Sequence, residues 1–582
     1  MQESALGVDS HGREPLGHSR LRRGAALNNI DFASLLDDIA QLLALTDTSP
    51  FRVKAYENAA RMLRSLEEPV APRIADGTVT SLKGIGKGIA ADLTEMLATG
   101  TCESLDTLRA AIPPGYADLI RVRGLGPKRI QTLRTALGVE NLDALEEAAT
   151  SGRLSGVAGF TEKAAAAMAE EIRRIRAAGS GVVVGTAHRA GSALADWVAS
   201  VSGAAAEVSL AGSVARGDEL HCEAVVVVAT VHPEAVVAAL LASDAQARRD
   251  GDSILLDARA GLARRVVVTD VPAAPARWLC ETATAPVRDA LRSKAGGDLL
   301  ALSAATRGDL FAQLGLAPLP AELLCRAEDL SQQAASLEGL VEVASVRRDL
   351  HLHTTWSDGA NTIAEMAAAA AAHGYDAIAV TDHSPSLTVA RGLSAERLRA
   401  QVEELRAGAL PVRVFTGLEV DILADGTLDM EAELLASLDW VVGSVHSHMN
   451  QSAEVMTDRL LRAVNSGNID ALGHPTGRIL GGRPGFRFDY DAVFDACARE
   501  GVALELNAAP ERLDLNDELL RAAMLRPEMR FVINTDAHSV AELDQMHHGI
   551  RMARRAAMPA GRVWNCAELA SFEDHVASRR TR

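Results

Sequence analysis

Histidine, aspartate and glutamate recur at the ends of short apolar runs in the C-terminal part of this chain. In order the runs read Asp349-Leu-His-Leu-His353, Ile378-Ala-Val-Thr-Asp-His383, Val414-Phe-Thr-Gly-Leu-Glu419 and Trp440-Val-Val-Gly-Ser-Val-His446. Then come Ile469-Asp-Ala-Leu-Gly-His474, Val502-Ala-Leu-Glu-Leu-Asn507 and Phe531-Val-Ile-Asn-Thr-Asp-Ala-His538. Imidazole and carboxylate together suit divalent zinc, manganese or iron, and their types alone do not choose among the three. A carboxylate such as Glu419 can span two cations about 3.5–4 Å apart, and such cations acidify water and neutralise phosphate oxygens. A single histidine at a strand end is an ordinary core or loop residue. Seven strand ends, nearly all so equipped, favour a metal site.

Residues this distant meet only if the elements carrying them are arranged in parallel. Apolar strands alternate with Ala-rich helical stretches such as 362–373 and 491–500, which predicts a parallel sheet. Seven repeats predict a closed or nearly closed barrel, in which the C-terminal strand ends converge on one mouth. The two-residue pleat sets His351 and His353 on one face, and likewise Asp536 and His538.

Three similar segments lie earlier: Leu82-Lys-Gly-Ile-Gly-Lys-Gly-Ile89, Val122-Arg-Gly-Leu-Gly-Pro-Lys-Arg-Ile130 and Val157-Ala-Gly-Phe-Thr-Glu-Lys-Ala164. Each has an apolar residue, a glycine turn and a helix start. Glycine lets the backbone approach a phosphate, and the helix N-terminus offers it unpaired N–H groups. Lys83, Gly84, Gly86, Lys87 and Gly88 are the expected DNA contacts of the first copy. Those of the second are Arg123, Gly124, Gly126, Lys128 and Arg129. Such contacts grip the sugar-phosphate backbone without reading sequence. The third copy lacks the second glycine and is expected to be structural. A Schiff-base role for Lys54 or Lys87 needs a depressed pKa that nothing in the sequence provides, so phosphate contact is retained.

A chain of 582 residues divides into several domains, and 48% hydrophobic with 23% charged residues is a globular balance. The net charge of −18 argues against a broad basic surface, but not against a few placed cations. Six scattered cysteines without a CxxC pair argue against a disulfide framework and for reduced, buried thiols. No apolar run approaches the roughly 18–20 residues of a membrane span, and a cytoplasmic, nucleoid-associated monomer is expected. Helical spacing runs through Ile30, Leu35, Ile39, Leu42, Leu43, Phe51, Val53, Tyr56, Ala60 and Leu63. The β-branched runs Val182–Val184, Val225–Val228 and Val266–Val268 predict a central sheet.

Residues 343–575 resemble the PHP (polymerase and histidinol phosphatase) family through His351-Leu-His353, Ser357-Asp358-Gly359, Thr381-Asp382-His383, Glu419, His446, His474 and Asp536-Ala-His538. The resemblance implies a distorted seven-stranded barrel with up to three divalent ions (Mn²⁺, Zn²⁺ or Fe²⁺). His351, His353, Glu419 and Asp536 would hold one, Glu419, His446 and His474 the second, and Asp358, His383 and His538 the third. Glu419, His446, Asp536 and Arg512 are the expected catalytic residues, with Asp382 and His448 as outer neighbours of the ligands.

Residues 27–582 resemble the bacterial family X DNA polymerases through Phe51-Arg-Val-Lys-Ala-Tyr-Glu-Asn-Ala-Ala-Arg61, the hairpins, and Ala211-Gly-Ser-Val-Ala-Arg-Gly-Asp-Glu219. The implied order begins with a flexible tail (1–26) and two helix-hairpin-helix domains (27–108 and 109–180). An α+β nucleotidyltransferase-like palm (181–275), a thumb-like region and linker (276–340) and the α/β PHP barrel (341–582) follow. Gly212, Ser213 and Arg216 match the palm's nucleotide-binding turn. Of the three carboxylates the family uses for two magnesium ions, Glu223 remains, while Val225 and Arg265 stand at the other two. The family's Tyr-Phe-x-Gly-Ser segment is replaced by Leu279–Thr284, and the spare carboxylates Asp218 and Asp270 lack the required spacing. The expected activity is metal-dependent processing of gapped or 3′-ended DNA: a 3′–5′ exonuclease with abasic-site cleavage and 3′-phosphatase action, and polymerase activity absent or negligible. The alternatives are an active polymerase with a divergent palm, a histidinol-phosphate-type phosphatase, and a non-catalytic DNA-binding scaffold.

Overall fold

The computed structural model describes residues 32–579, apart from 44–49, 67–69, 112–118, 120–121, 123–124, 178–180 and a few single or paired positions. The tail, Ile30, Arg123 and Gly124 lie outside the described residues, as does the Lys128 side chain. The chain divides into two compact units, one of residues 1–180 with 259–261 and one of the remainder. Among the described residues no helix is long and apolar enough to cross a membrane. The six cysteines are free thiols, and Cys222, against expectation, is exposed.

The first unit is helical, with two separate cores. Phe32, Leu35, Leu36, Ile39 and Leu43 pack with Tyr56, Ala60 and Leu63 of α1 (Pro50–Arg64) and with Ile89 and Leu93 of α2 (Lys87–Thr99). Phe51, expected in this apolar stripe, is 87% exposed, because the helix turns that position outward. The second core gathers Val122, Leu125, Leu145, Leu154 and Phe160 around α3 (Pro127–Leu137).

The second unit opens with α4 (Val184–Ser202), β1 (Glu207–Ala211), α5 (Gly212–Arg216) and β2 (Glu223–Ala229). Then follow β3 (Arg248–Asp250), β4 (Ser253–Arg259), β5 (Leu262–Thr269) and α6 (Ala274–Thr282). The strands form a five-stranded sheet in the order β1-β2-β5-β4-β3, with β2 and β5 parallel. Val182–Val183 stays outside this sheet, pairing with Leu220–His221, and Val184 begins a helix rather than continuing a strand.

Seven parallel strands build the C-terminal part: β6 (Arg348–Leu352), β7 (Ala377–Val380), β8 (Arg413–Asp421), β9 (Trp440–Ser444), β10 (Ala471–Leu472), β11 (Ala503–Asn507) and β12 (Phe531–Asn534). They pair in sequence order, and a parallel bridge between Leu352 and Ala537 brings the first strand to the last, so the barrel is nearly closed. Helices such as 363–372 and 490–500 cover the outside, where Ile378, Val414, Val441 and Leu504 meet them. The other strand face buries Leu350, Ala377, Ala379, Phe415, Val442, Ala503 and Val532 against Phe572 of α8 (Leu569–Arg579), which follows α7 (Met546–Arg555). Counting onward by two, this inner face turns polar: Ala379 leads to Thr381 and His383, Phe415 to Gly417 and Glu419, Val532 to Asn534 and Asp536. An apolar floor and a polar rim thus follow from one alternation.

Candidate metal centre

The rim side chains converge. Five imidazoles surround Glu419: its Oε1 lies 3.0 Å from His474 Nε2, 3.3 Å from His446 Nε2 and 3.5 Å from His351 Nε2. Its Oε2 lies 2.7 Å from His383 Nδ1 and 3.7 Å from His353 Nε2. Asp536 Oδ1 accepts from His353 Nε2 at 3.0 Å and stands 3.6 Å from His351 Nε2. Asp358 Oδ1 faces His538 Nε2 at 3.4 Å and His383 Nε2 at 3.6 Å. Three overlapping groups could each hold a metal ion: His353, Asp358, His383 and His538; His351, His353 and Glu419; His383, Glu419 and His446. The grouping differs from the three sets implied by resemblance. His353 and His383 are each shared between two groups, because the rings of His353, His383 and His538 stack with centroids 4.2–4.3 Å apart on either side of His353.

The donor atoms fit cations. His351 Nε2, His353 Nδ1, His383 Nδ1, His474 Nδ1 and Glu419 Oε2 are buried and make no hydrogen bond. Each such atom costs about 1–3 kcal/mol unless something meets it. Burial works against charge on Glu419, but His446, His383 and His351 outweigh it and hold the carboxyl well below its usual range. On His446, burial is outweighed by Glu419 and Asp421, which push the imidazole up to about 10. Cations take imidazole in its neutral form, so binding a cation at this position would require His446 to lose its proton. His474 and Asp536 also carry positive φ angles, 25° and 56°, a region that side-chain-bearing residues adopt uncommonly.

Two carboxylates overlooked in the sequence aim the imidazoles. Glu505 accepts from His351 Nδ1 at 2.8 Å and from the His474 backbone N–H at 2.6 Å, so His351 Nε2 turns toward the cluster. Asp421 pairs with His446 Nδ1 at 2.6 Å and leaves Nε2 facing Glu419. Both stand two residues from a rim position on their own strand, on the same face, and the pleat alone could have flagged them. Asp382 accepts from Thr354 N at 2.8 Å and Ser357 N at 3.2 Å, holding the turn that leads to Asp358. His448 is exposed and belongs to none of the groups. Arg512 Nε stands at the rim, 3.6 Å from Asp536 Oδ2.

The three glycine turns share one geometry. Ile85 N–H donates to Leu82 O, Leu125 N–H to Val122 O and Phe160 N–H to Val157 O, at 2.9–3.1 Å. In the first copy Ile85 and Ile89 anchor the hairpin, while Lys83, Gly84, Gly86, Lys87 and Gly88 are exposed beside a groove of about 710 Å³. Gly84 has φ +94°, and a Cβ there would meet nothing within 4 Å, so its role is the left-handed turn itself. Gly126 caps α3. Arg129 folds inward, donating to Gly159 O at 2.7 Å and stacking 4.3 Å from the Phe160 ring centroid. In the third copy Thr161 replaces glycine, and its Oγ1 accepts from Ala164 N–H at 3.2 Å, a side-chain cap that glycine cannot supply.

In the central sheet Val225 and Arg265 are direct partners across β2 and β5. Val225 is buried, and Gly212 approaches it so closely that a Cβ would lie 3.3 Å from Val225 Cγ2. Arg265 donates to both Glu223 oxygens at 3.0 Å and to Glu281 at 2.8 Å, and Glu281 also meets Arg277 at 3.3 Å. Arg216 is held by Asp218 and by Thr282 O, and Ser213 Oγ bonds His221 Nδ1 at 2.9 Å. Asp218 is further engaged by Arg555 at 2.6 Å, and Asp270 accepts from Ala273 N–H.

Comparison with known proteins agrees with this layout. The chain matches the helix-hairpin-helix domain over residues 27–102, a SAM-like helix-hairpin-helix tandem over 116–174 and the PHP domain over 349–509. The "Probable phosphatase" of Photobacterium profundum is 32% identical over 206 residues, 34% of this chain and 79% of that protein. One of the same name from Acetivibrio thermocellus is 27% identical over 242 residues, 40% of this chain and 96% of its own. The DNA polymerase/3′-5′ exonuclease PolX of Bacillus subtilis is 32% identical over 565 residues, covering 93% of this chain and 98% of that protein. A likeness that runs through hairpins, central sheet and barrel alike places this chain among the bacterial family X DNA polymerases with a C-terminal PHP domain.

Proposed function

We propose that this chain is a divalent-metal-dependent phosphoesterase that trims DNA 3′ ends in repair, with abasic-site cleavage and 3′-phosphate removal at the same site. The observation that carries the reading is the buried cluster at the barrel rim, with five imidazoles within 3.7 Å of Glu419 and overlapping sets of side chains able to hold an ion. His351, His353, Glu419 and Asp536 would hold one ion, Glu419, His446 and His474 a second, and Asp358, His383 and His538 a third. Bound manganese, zinc or iron(II) would supply Lewis acidity and activate water. The chain's own residues do the rest. Asp421 and Glu505 orient the imidazoles, Arg512 meets phosphate oxygens, and the exposed turns around Gly84 and Gly126 grip the sugar-phosphate backbone of gapped or 3′-ended duplex. The exonuclease in the name of the Bacillus relative supports this assignment.

Polymerase chemistry is absent in this reading. It needs carboxylates to hold its cations, and Val225 offers none, while Arg265 brings a positive charge already neutralised by Glu223 and Glu281. The phosphatases that match the barrel region support a second reading, a small-molecule phosphatase. One comparison separates them: the protein with Mn²⁺ on a 5′-labelled primer–template or on histidinol phosphate, beside His351→Ala and Asp536→Ala. Shortening of the primer from its 3′ end, lost in both variants, is expected. Hydrolysis of histidinol phosphate alone would overturn the nuclease reading.

A further inference from the structure

The loop that presents Arg512 is held from outside the barrel. Arg478, just beyond His474, donates from Nε to the Arg512 carbonyl at 2.8 Å and from Nη2 to the Leu513 carbonyl. The same Nη2 meets Glu219 Oε1 at 2.7 Å. Glu219 belongs to the central sheet's turn between α5 and β2, and its carbonyl accepts from Val184 N–H at 3.1 Å. Val184, the first residue of α4, is buried in the barrel's own core. A second contact reaches the same loop, since a Cβ on Gly185 would fall 2.8 Å from Pro510. Backbone packing and a carboxylate thus run independently from the sheet to residues 510–513.

Inside the barrel this loop has little slack. The N–H groups of Arg512 and Leu513 both donate to Ala509 O, at 2.8 and 3.0 Å. Any shift of the turn therefore carries the Arg512 guanidinium with it, away from its place 3.6 Å from Asp536. Arg478 is only 13% exposed, and its planar fork is fixed by a carboxylate on one side and two carbonyls on the other. Removing the carboxylate leaves a largely buried cation with two carbonyl acceptors and the charge of Asp514, and no tie to the sheet.

We infer that Glu219 is a positioning residue for the phosphoesterase site, acting through Arg478 to fix the loop that presents Arg512. The kinetic part rests on the phosphoesterase reading above; the mechanical part does not. The central sheet, with Val225 and Arg265 at two of its three expected carboxylate positions, then serves the barrel as a buttress.

The test uses the full chain with Mn²⁺ on a 5′-labelled primer–template, together with amide hydrogen exchange of residues 507–515. Glu219→Ala is expected to lower kcat about ten- to a hundredfold with KM nearly unchanged, because a cation loosened by roughly an ångström is lost where charge develops. Glu219→Gln, which keeps one acceptor, recovers part of that loss. Exchange across 509–513 rises in Glu219→Ala, and in an Arg512→Ala background the same change costs nothing further. Fully additive losses, or exchange at 509–513 equal to the parent protein, would overturn the inference. A parent protein that hydrolyses no phosphoester, but whose Glu219→Ala variant still loosens 509–513, refutes the phosphoesterase reading and upholds the coupling.

Discussion

The barrel rim and the central sheet both gather polar side chains along parallel strands, but the rim sets imidazoles around carboxylates while the sheet sets guanidinium groups between them. At the rim, His351, His353, His383, His474 and Glu419 each keep a buried atom with no hydrogen bond. In the sheet, Arg265 is flanked by Glu223 and Glu281 within 3.0 Å, although Arg277 Nε, His221 Nε2 and Thr282 Oγ1 are also buried without a hydrogen bond. Buried polar atoms left unmatched destabilise a fold, and they persist where a ligand completes them; matched ones hold shape and require nothing more. The rim thus carries buried imidazoles and carboxylates that could take cations, and the sheet carries a guanidinium already paired with carboxylates.

Removing a rim ligand should have the largest effect. Asp536→Ala or Glu419→Ala is expected to reduce phosphodiester hydrolysis on the order of a thousandfold or more, and chelation should do the same to the parent protein. Hydrolysis that survives both treatments would erase the contrast between the two sites. Next come the orienting carboxylates. Glu505→Gln and Asp421→Asn should weaken metal affinity or activity about 10–100-fold, read by metal titration and by rate.

The sheet should respond in stability rather than in hydrolysis. Arg265→Leu removes the shared cation of Glu223 and Glu281, leaving Glu281 to Arg277, and is expected to lower unfolding free energy by about 1–3 kcal/mol, measured in urea, with the hydrolytic rate kept. Incubated with nucleotides, Mn²⁺ and a gapped duplex, the parent protein should add nothing; clear extension would mean the sheet still binds its cations. The smallest effect belongs to the hairpins, where Lys83→Ala should reduce by about one the slope of log affinity for DNA against log salt.

Much of this is legible in the chain alone, for a physical reason. A strand's two-residue repeat and a helix's 3.6-residue repeat are local, so seven strand ends and the helices at 363–372 and 490–500 can be read directly. Pairings across the fold are not local. Nothing near Arg129 in the chain announces that it stacks on Phe160, and Phe51 sits in an apolar run yet faces solvent. The sharing of His353 and His383 between groups depends on how rings stack across strands, which spacing does not encode. Glu505 is the instructive omission: it lies on the inner face of β11, one pleat below Asn507, and a search confined to strand ends misses it because it stops short of the rim.

The bridge between Leu352 and Ala537 joins the barrel's opening strand to its final one, and His353 and Asp536, which meet there, lie 183 positions apart. The two side chains therefore come from opposite ends of the barrel sequence, and any stretch of chain that contains both also contains the strands between them.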